Sequence, residues 1–257
     1  MVLQIATISK DRPELFELLE RAYNDIYLPA FPIESERESL EKFMQAVNGE
    51  LPGIGIVINI LGENLLDADK RVVKGISVAY LYEAHDTGLL AYNAIAPEHR
   101  ERGMGKLMVD SRIKSLKQMA AEKGRQLKSV FIECNDPTKV APEDDSMDPS
   151  KRIALFESWG ARQVPIDYVQ PPLSAEGDYN DTMVLLNYPL EGRYAGKQEV
   201  EQYLRGIYRE FRSDKSPDDD YFFKKMKQQL KAGAVPEHEK NLKPGYKVGV
   251  PVFRFVA

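Results

Sequence analysis

One cysteine, Cys134, and three histidines, His85, His99 and His238, are all that this chain of 257 residues offers for a disulfide or for thiol and imidazole ligands to a metal. A single thiol excludes an intramolecular disulfide and a cysteine-rich zinc site, and the histidines lack metal-ligand spacing. No metal is expected. An excess of basic residues is missing too: 35 Lys and Arg stand against 40 Asp and Glu, a formal net charge of −5. A general nucleic-acid surface needs clustered Lys and Arg, so no nucleic-acid partner is expected. A local basic patch for a small phosphorylated ligand is still compatible with that balance. No stretch approaches the roughly 18 apolar residues of a membrane span. The start, Met1-Val2-Leu3-Gln4, lacks the charged region and apolar core of a signal peptide. The expectation is a chain of the reducing cytoplasm, with no membrane partner.

What is present is a core-forming mix, 43% hydrophobic and 29% charged, long enough for one large domain or a domain with a substantial appendage. Residues 2–9 alternate and are rich in β-branched types, which predicts a strand. A helix follows, with Pro13 in its first turn and Leu15, Leu18, Leu19, Ala22 and Ile26 on one face. Leu28-Pro29-Ala30-Phe31-Pro32 breaks it. Ser35 with Glu38 three residues later has the pattern of a capping box for a second helix, striped by Leu40, Phe43, Met44 and Val47 and stopped at Asn48-Gly49. Residues 54–61, 72–83 and 88–96 read as three strands whose short connections suit an antiparallel meander.

After Gly105 the period becomes helical, with Leu107, Met108, Ile113, Leu116, Met119 and Ala120 inward and Gly124 at the end. Residues 127–134 form a fifth strand, reached through that helix and therefore parallel to the one before. A polar loop holding Glu143, Asp144, Asp145 and Asp148 precedes a short helix through Ile153, Leu155, Phe156 and Trp159. Strands near 161–169 and 182–188 close the series as a hairpin. The order is β-α-α-β-β-β-α-β-α-β-β. Residues 190–257 read as an addition: Val200, Tyr203, Leu204, Ile207, Tyr208 and Phe211 stripe one helix, and Ser216-Pro217-Asp218-Asp219 starts another carrying Phe222, Phe223, Met226 and Leu230. Residues 248–256 suit a strand that joins a sheet edge. This extension is expected to pack on the main domain or on a partner in a homodimer.

The most informative stretch runs from Leu89 to Lys106, where a strand ends at Pro97 and a helix begins near Met104. Gly103 and Gly105 remove side chains where a ligand would touch the backbone. The helix start presents unpaired N–H groups and the positive end of the dipole, which suit a pyrophosphate, and Arg100, Arg102 and Lys106 add charge. A P-loop is excluded because position 100 is Arg and Leu107 follows Lys106, and a dinucleotide fingerprint because Met108 stands where its third glycine belongs.

Arg100-x-x-Gly103-x-Gly105, preceded by Ile95-x-Pro97, resembles the signature of the GNAT superfamily of acyl-CoA N-acyltransferases, and the likeness covers roughly residues 2–189. It implies an α/β (α+β) fold with a mixed, mostly antiparallel sheet of about seven strands, splayed between the fourth and fifth and flanked by helices. It implies acetyl-CoA or another acyl-CoA as co-substrate, its pyrophosphate on the backbone from Arg102 to Lys106 and its pantetheine on the strand around Ile95. A primary amine, on a small molecule or a peptide, would attack the thioester directly. Domain boundaries of 1–189 for the acyltransferase and 190–257 for the extension follow.

Phe131-Ile132-Glu133-Cys134-Asn135 resembles the strand end of ribosomal-protein alanine acetyltransferases, which implies Glu133 as general base; a surface or loop-anchoring glutamate is the other reading. Two departures stand out. The position of the family's helix-borne tyrosine acid is Phe156, and the strand glutamate of histone acetyltransferases falls at Leu89. Tyr80, Tyr82, Tyr92 and Tyr168 are packing residues or cleft donors, and Cys134 reads as a buried structural thiol because no histidine lies near it in sequence. The acidic loop reads as a solvated face rather than a cation trap. An acyl-CoA-binding regulatory module and an aminoacyl transferase are the alternative functions.

Overall fold

The computed structural model describes residues 2–34, 37–100, 102–173, 177–212, 214–233, 235 and 253–256. Its elements follow the sequence order closely. Strand β1 (Leu3–Thr7) leads into α1 (Phe16–Ala22), a π turn over Tyr23–Tyr27 and the short α2 (Leu28–Ala30); α3 (Leu40–Asn48) comes next. Strands β2 (Ile54–Glu63), β3 (Val72–Tyr82) and β4 (Thr87–Ile95) precede α4 (Met104–Glu122) and β5 (Ser129–Asn135). Then come α5 (Pro149–Ser158), β6 (Arg162–Gln163), β7 (Met183–Tyr188), α6 (Lys197–Phe211), α7 (Tyr221–Lys231) and β8 (Phe253–Val256).

The chain forms two compact units, one of Met1–Leu81, Leu90–Gly124 and Gly245–Ala257, the other of Tyr82–Leu89 and Arg125–Pro244. In the first, the strands run in the order β4-β3-β2-β1-β8, with β1 antiparallel to β2 and parallel to β8. The expected C-terminal strand therefore exists over Phe253–Val256; residues 248–252 lie outside the described part. The apolar core of this unit gathers Leu15, Leu18, Leu19 and Tyr27 against Ile58, Ile60 and Val78. Ser39 caps α3 by accepting from the Lys42 N–H at 3.1 Å. The capping box expected at Ser35 lies outside the described residues, and the cap falls one residue before Leu40 because that is where the helical stripe begins. Gly49 closes the helix at φ +79°, the left-handed turn that Asn48-Gly49 predicts.

On α4 the inward residues include Ser111 and Arg112, whereas Ile113 and Met119 are half-buried. Arg112 is fully buried and donates to the carbonyls of Val78 (3.0 Å) and Tyr92 (2.8 Å). Burial pushes its guanidinium down to about 9, and among the described residues Nη2 has no partner. Two sheet carbonyls thus hold a cation that has left water.

In the second unit the order is β6-β7-β5-β4, with β5 antiparallel to β7 and parallel to β4. The parallel ladder joins Thr87, Gly88 and Leu89 to Ser129, Val130 and Phe131, three of the nine residues of β4. The mixed, open sheet with a short parallel β4–β5 ladder is the architecture that the GNAT resemblance implies. The closing hairpin is shorter than expected: β6 is two residues long, and after the Val164 N–H donates to the Leu185 carbonyl at 2.8 Å the chain leaves β7 until a single bridge joins Gln170 to Asn180. On α5, Leu155 is exposed, whereas Phe156 occupies the buried side beside Trp159.

Helix α6 buries Val200, Tyr203, Leu204, Ile207 and Tyr208, and α7 buries Phe223, Met226 and Leu230. Pro217–Asp219 forms a single 3-10 turn, so the α-helical start moves on to Asp220. Asp220 is fully buried; it accepts from the N–H groups of Phe222 (2.9 Å) and Phe223 (3.2 Å), from the Tyr179 hydroxyl, and pairs with Lys215 at 2.9 Å. Burial opposes its ionised form, but these bonds outweigh burial and hold the carboxyl below its ordinary 3.8. Asp220→Ala is expected to lower unfolding free energy by about 2 kcal/mol in denaturant titrations, through the lost cap and the unpaired groups left behind. The deficit should shrink as pH falls below the ordinary carboxylate range, where the native carboxylate itself is lost.

Candidate active site

The turn after β4 is built from its own short-range contacts. Pro97–His99 makes one 3-10 turn, and the Arg100 Nε–H donates back to the Ile95 carbonyl at 3.0 Å. Ile95 itself is half-buried and packs with Met104, Leu107 and Met108 against Ile5 and Leu61. Gly103 sits at φ +72° as the residue before α4, a conformation costly for any side chain. Nothing lies within 4 Å of where its Cβ would be. The N–H of Leu107 is the first to reach an intrahelical carbonyl, that of Gly103, at 3.1 Å. By helix geometry the N–H groups of Met104, Gly105 and Lys106 have no acceptor in the helix. The Asn93 Nδ2–H donates to the Gly105 carbonyl at 3.3 Å, which ties β4 to the helix start.

The side-chain charge at this turn is smaller than the sequence suggests. Lys106 pairs with Asp110 one helical turn on, at 2.5 Å. Arg102 is exposed, Arg100 is occupied with Ile95, and Glu101 lies outside the described residues. The turn therefore offers an anion mainly backbone N–H groups and the helix dipole. His99 stands beside Glu98 at 4.0 Å. Tyr92 packs its ring against Tyr27, Phe31 and Phe43, and Tyr80 lies against the same core.

The second unit holds the other sequence candidate. Glu133 on β5 is half-buried, and its carboxylate accepts from three side chains. Oε1 receives the Tyr168 hydroxyl and the Tyr203 hydroxyl, the latter at 3.1 Å; Oε2 receives the Gln170 Nε2–H at 2.7 Å. Tyr168, Gln170 and Tyr203 are all buried. Burial pushes the Glu133 carboxyl above its ordinary 4.5, against the pull of those three hydrogen bonds. Burial and the neighbouring carboxylate raise the phenols of Tyr168 and Tyr203 far above 10, so both remain donors. Sequence alone pointed to Glu133 and named Tyr168 among the packing or cleft tyrosines. It missed Gln170 and Tyr203, whose helical apolar spacing reads as core and carries no sign of residue 133.

The remaining candidates take structural roles. Burial pushes the Cys134 thiol up to about 12, which leaves it protonated and unreactive. Tyr82 meets the ring of Tyr203 edge-on at 6.0 Å. In the acidic loop Asp145 is bound bidentately by Arg152, at 2.6 and 2.7 Å, and by Asn135 at 2.8 Å, while Glu143 and Asp144 are exposed. Among the described residues no group of His, Cys, Asp and Glu could hold a metal ion, and no helix is long and apolar enough to cross a membrane.

The raised carboxyl has a consequence for folding. Native Glu133 binds a proton more tightly than the unfolded residue does. Its stabilising contribution is complete below the ordinary 4.5 and is lost as pH rises through the higher native value. Thermal unfolding of the parent should therefore decline relative to Glu133→Gln as pH climbs from 4.5 to neutrality. A constant difference between the two proteins across that range contradicts the raised value.

No protein-family model matches the chain, and neither does any curated protein. Among solved structures it is similar to the PaiA N-acetyltransferase of Thermoplasma acidophilum in complex with coenzyme A, at 13% identity and TM-score 0.47 over 74% of this chain and 100% of that one. It is similar to the ribosomal-protein-S18-alanine N-acetyltransferase of Escherichia coli, at 14% identity and TM-score 0.44 over 73% and 93%. A GNAT family acetyltransferase of Elizabethkingia anophelis with acetyl-CoA bound is similar at 16% identity and TM-score 0.43 over 73% and 98%.

Proposed function

We propose that the chain is an N-acetyltransferase that moves an acetyl group from acetyl-CoA to a primary amine by direct attack. The observation that carries this reading is Glu133: a half-buried strand carboxylate, oriented by three donors, whose proton affinity burial has raised toward the range a general base needs. The amine nitrogen bonds to the thioester carbonyl carbon, the C–S bond breaks, and the sulfur leaves as the thiolate of CoA. The proton shed by the amine goes to Glu133. Backbone N–H groups of Met104, Gly105 and Lys106, with Arg102 beside them, suit the pyrophosphate of the donor, and Ile95 suits its pantetheine. Residues 1–189 form the acyltransferase domain in this reading, and the lone reduced thiol Cys134 fits a cytoplasmic setting.

A second reading, a non-catalytic acyl-CoA-binding module, draws on Phe156. Its buried ring offers no proton to a leaving thiolate. Acetyl-CoA at a hundred times its dissociation constant should stabilise the protein by about 2.7 kcal/mol in thermal unfolding under either reading. The two separate on Glu133→Gln. Catalysis predicts that thiol release with an amine acceptor falls about a hundredfold or more while the acetyl-CoA shift persists. Full turnover in that variant sinks the base assignment, and no shift with any acyl-CoA sinks the donor.

A further inference from the structure

Helix α6 follows the last strand of the acyltransferase order, yet it reaches the Glu133 carboxylate by two routes. The direct route is Tyr203, whose hydroxyl donates to Oε1 at 3.1 Å. Its ring is clamped by stacking on Phe131, centroids 4.3 Å apart, and by the edge of Tyr82. The indirect route is Tyr208, whose hydroxyl donates at 2.9 Å to the carbonyl of Val169, the residue between the other two donors, Tyr168 and Gln170. The start of α6 is fixed as firmly. Glu199 accepts from the Gly196 N–H and pairs bidentately with Arg193, which also donates to the Lys128 carbonyl just before β5.

We propose that α6 completes the catalytic centre, with Tyr203 as a positioning residue that orients the Glu133 carboxylate and Tyr208 holding the segment that bears the other two donors. The proposal rests on Glu133 as the base. A carboxylate has about four lone-pair sites. Two at Oε1 and one at Oε2 are filled, so the donors leave one direction on Oε2 for the proton taken from the amine. Without the Tyr203 hydroxyl the carboxylate is freer to turn, and its charged form loses a donor. The titratable groups around it are Tyr168 and Tyr203 in contact, Cys134 beside it on β5, Tyr82 behind Tyr203, and Asp145 with Arg152 near Cys134.

The test uses the full-length protein and Tyr203→Phe, which keeps the ring and removes only the hydroxyl. The Glu133 carboxyl is titrated by NMR in protein labelled with ¹³C-glutamate, its signal assigned by its loss in Glu133→Gln. The expected midpoint moves up by about half to one pH unit, since a bond to the charged form is gone. The acid limb of kcat/KM should move with it, measured with spermidine and an alanine-terminated peptide as acceptor probes, while the KM for acetyl-CoA stays unchanged. Tyr208→Phe should give a smaller shift of the same sign. A lower unfolding temperature with an unmoved titration in both tyrosine variants means packing alone and overturns the proposal. If Glu133→Gln is inactive and Tyr203→Phe leaves the midpoint unmoved, the base stands and the role of α6 falls. If Glu133→Gln turns over fully, the base reading falls and takes this proposal with it.

Discussion

A carboxylate withdrawn from water has to find donors, and Glu133 draws its three from two separate parts of the chain. Tyr168 and Gln170 flank Val169 on the irregular segment after β6, and Tyr203 comes from α6. Each donor needs a reason to stand where it does. The segment leaves the β6–β7 ladder after two residues, and Tyr168 and Gln170, on either side of Val169, both reach one carboxylate. A regular strand would also put residues two apart on the same face, but it would fix their direction along the sheet. Tyr208 and the Gln170–Asn180 bridge hold the irregular stretch instead. An apolar stripe of α6, polar at the hydroxyl tips of Tyr203 and Tyr208, supplies the third donor through Tyr203.

The first unit meets the same constraint with the opposite charge. Arg112 is buried where helical periodicity leaves no solvent, and it settles on the carbonyls of Val78 and Tyr92. Carbonyl dipoles cannot neutralise a charge, which is why burial still lowers its proton affinity. The bonds do fix α4 against β3 and β4 from within, two turns beyond Gly103. The helix start at the glycine turn is thereby anchored by its own buried face, and its first N–H groups keep a set direction without side-chain caps.

Periodicity and turn chemistry made the element order and the glycine turn legible in the sequence, because each rests on contacts a few residues apart; the parallel β4–β5 step followed from the helix that lies between the two strands. The positive φ of Gly103 and the stop at Gly49 belong to that class. Long-range polar contacts were not legible. Tyr203 occupies a place in a hydrophobic stripe where any large apolar residue would satisfy the pattern, and only the fold brings its hydroxyl to residue 133, seventy positions back. Arg112 breaks the apolar pattern of α4 and reads as an outward charge, since a helical wheel cannot see two sheet carbonyls. The caps at Ser39 and Asp220 are chosen by packing of the stripe from more than one candidate, since Ser35 and Ser39 precede α3 and Ser216, Asp218, Asp219 and Asp220 precede α7.

Charge counting at the glycine turn misleads for a related reason. Arg100, Arg102 and Lys106 look like a basic cluster in sequence, yet Lys106 is paired with Asp110 and Arg100 closes the turn on Ile95. An ion pair of this exposed, one-turn kind is worth a few tenths of a kcal/mol, so an incoming phosphate can compete for the lysine at little cost. Backbone N–H groups need no such release, for the helix points them outward before any ligand arrives. In the proposed reading, recognition of the donor at this turn is set first by the main chain, whose geometry depends on Gly103, and only then by side-chain charge. A substitution that preserves charge but forces Gly103 out of the left-handed region removes the larger contribution of the two.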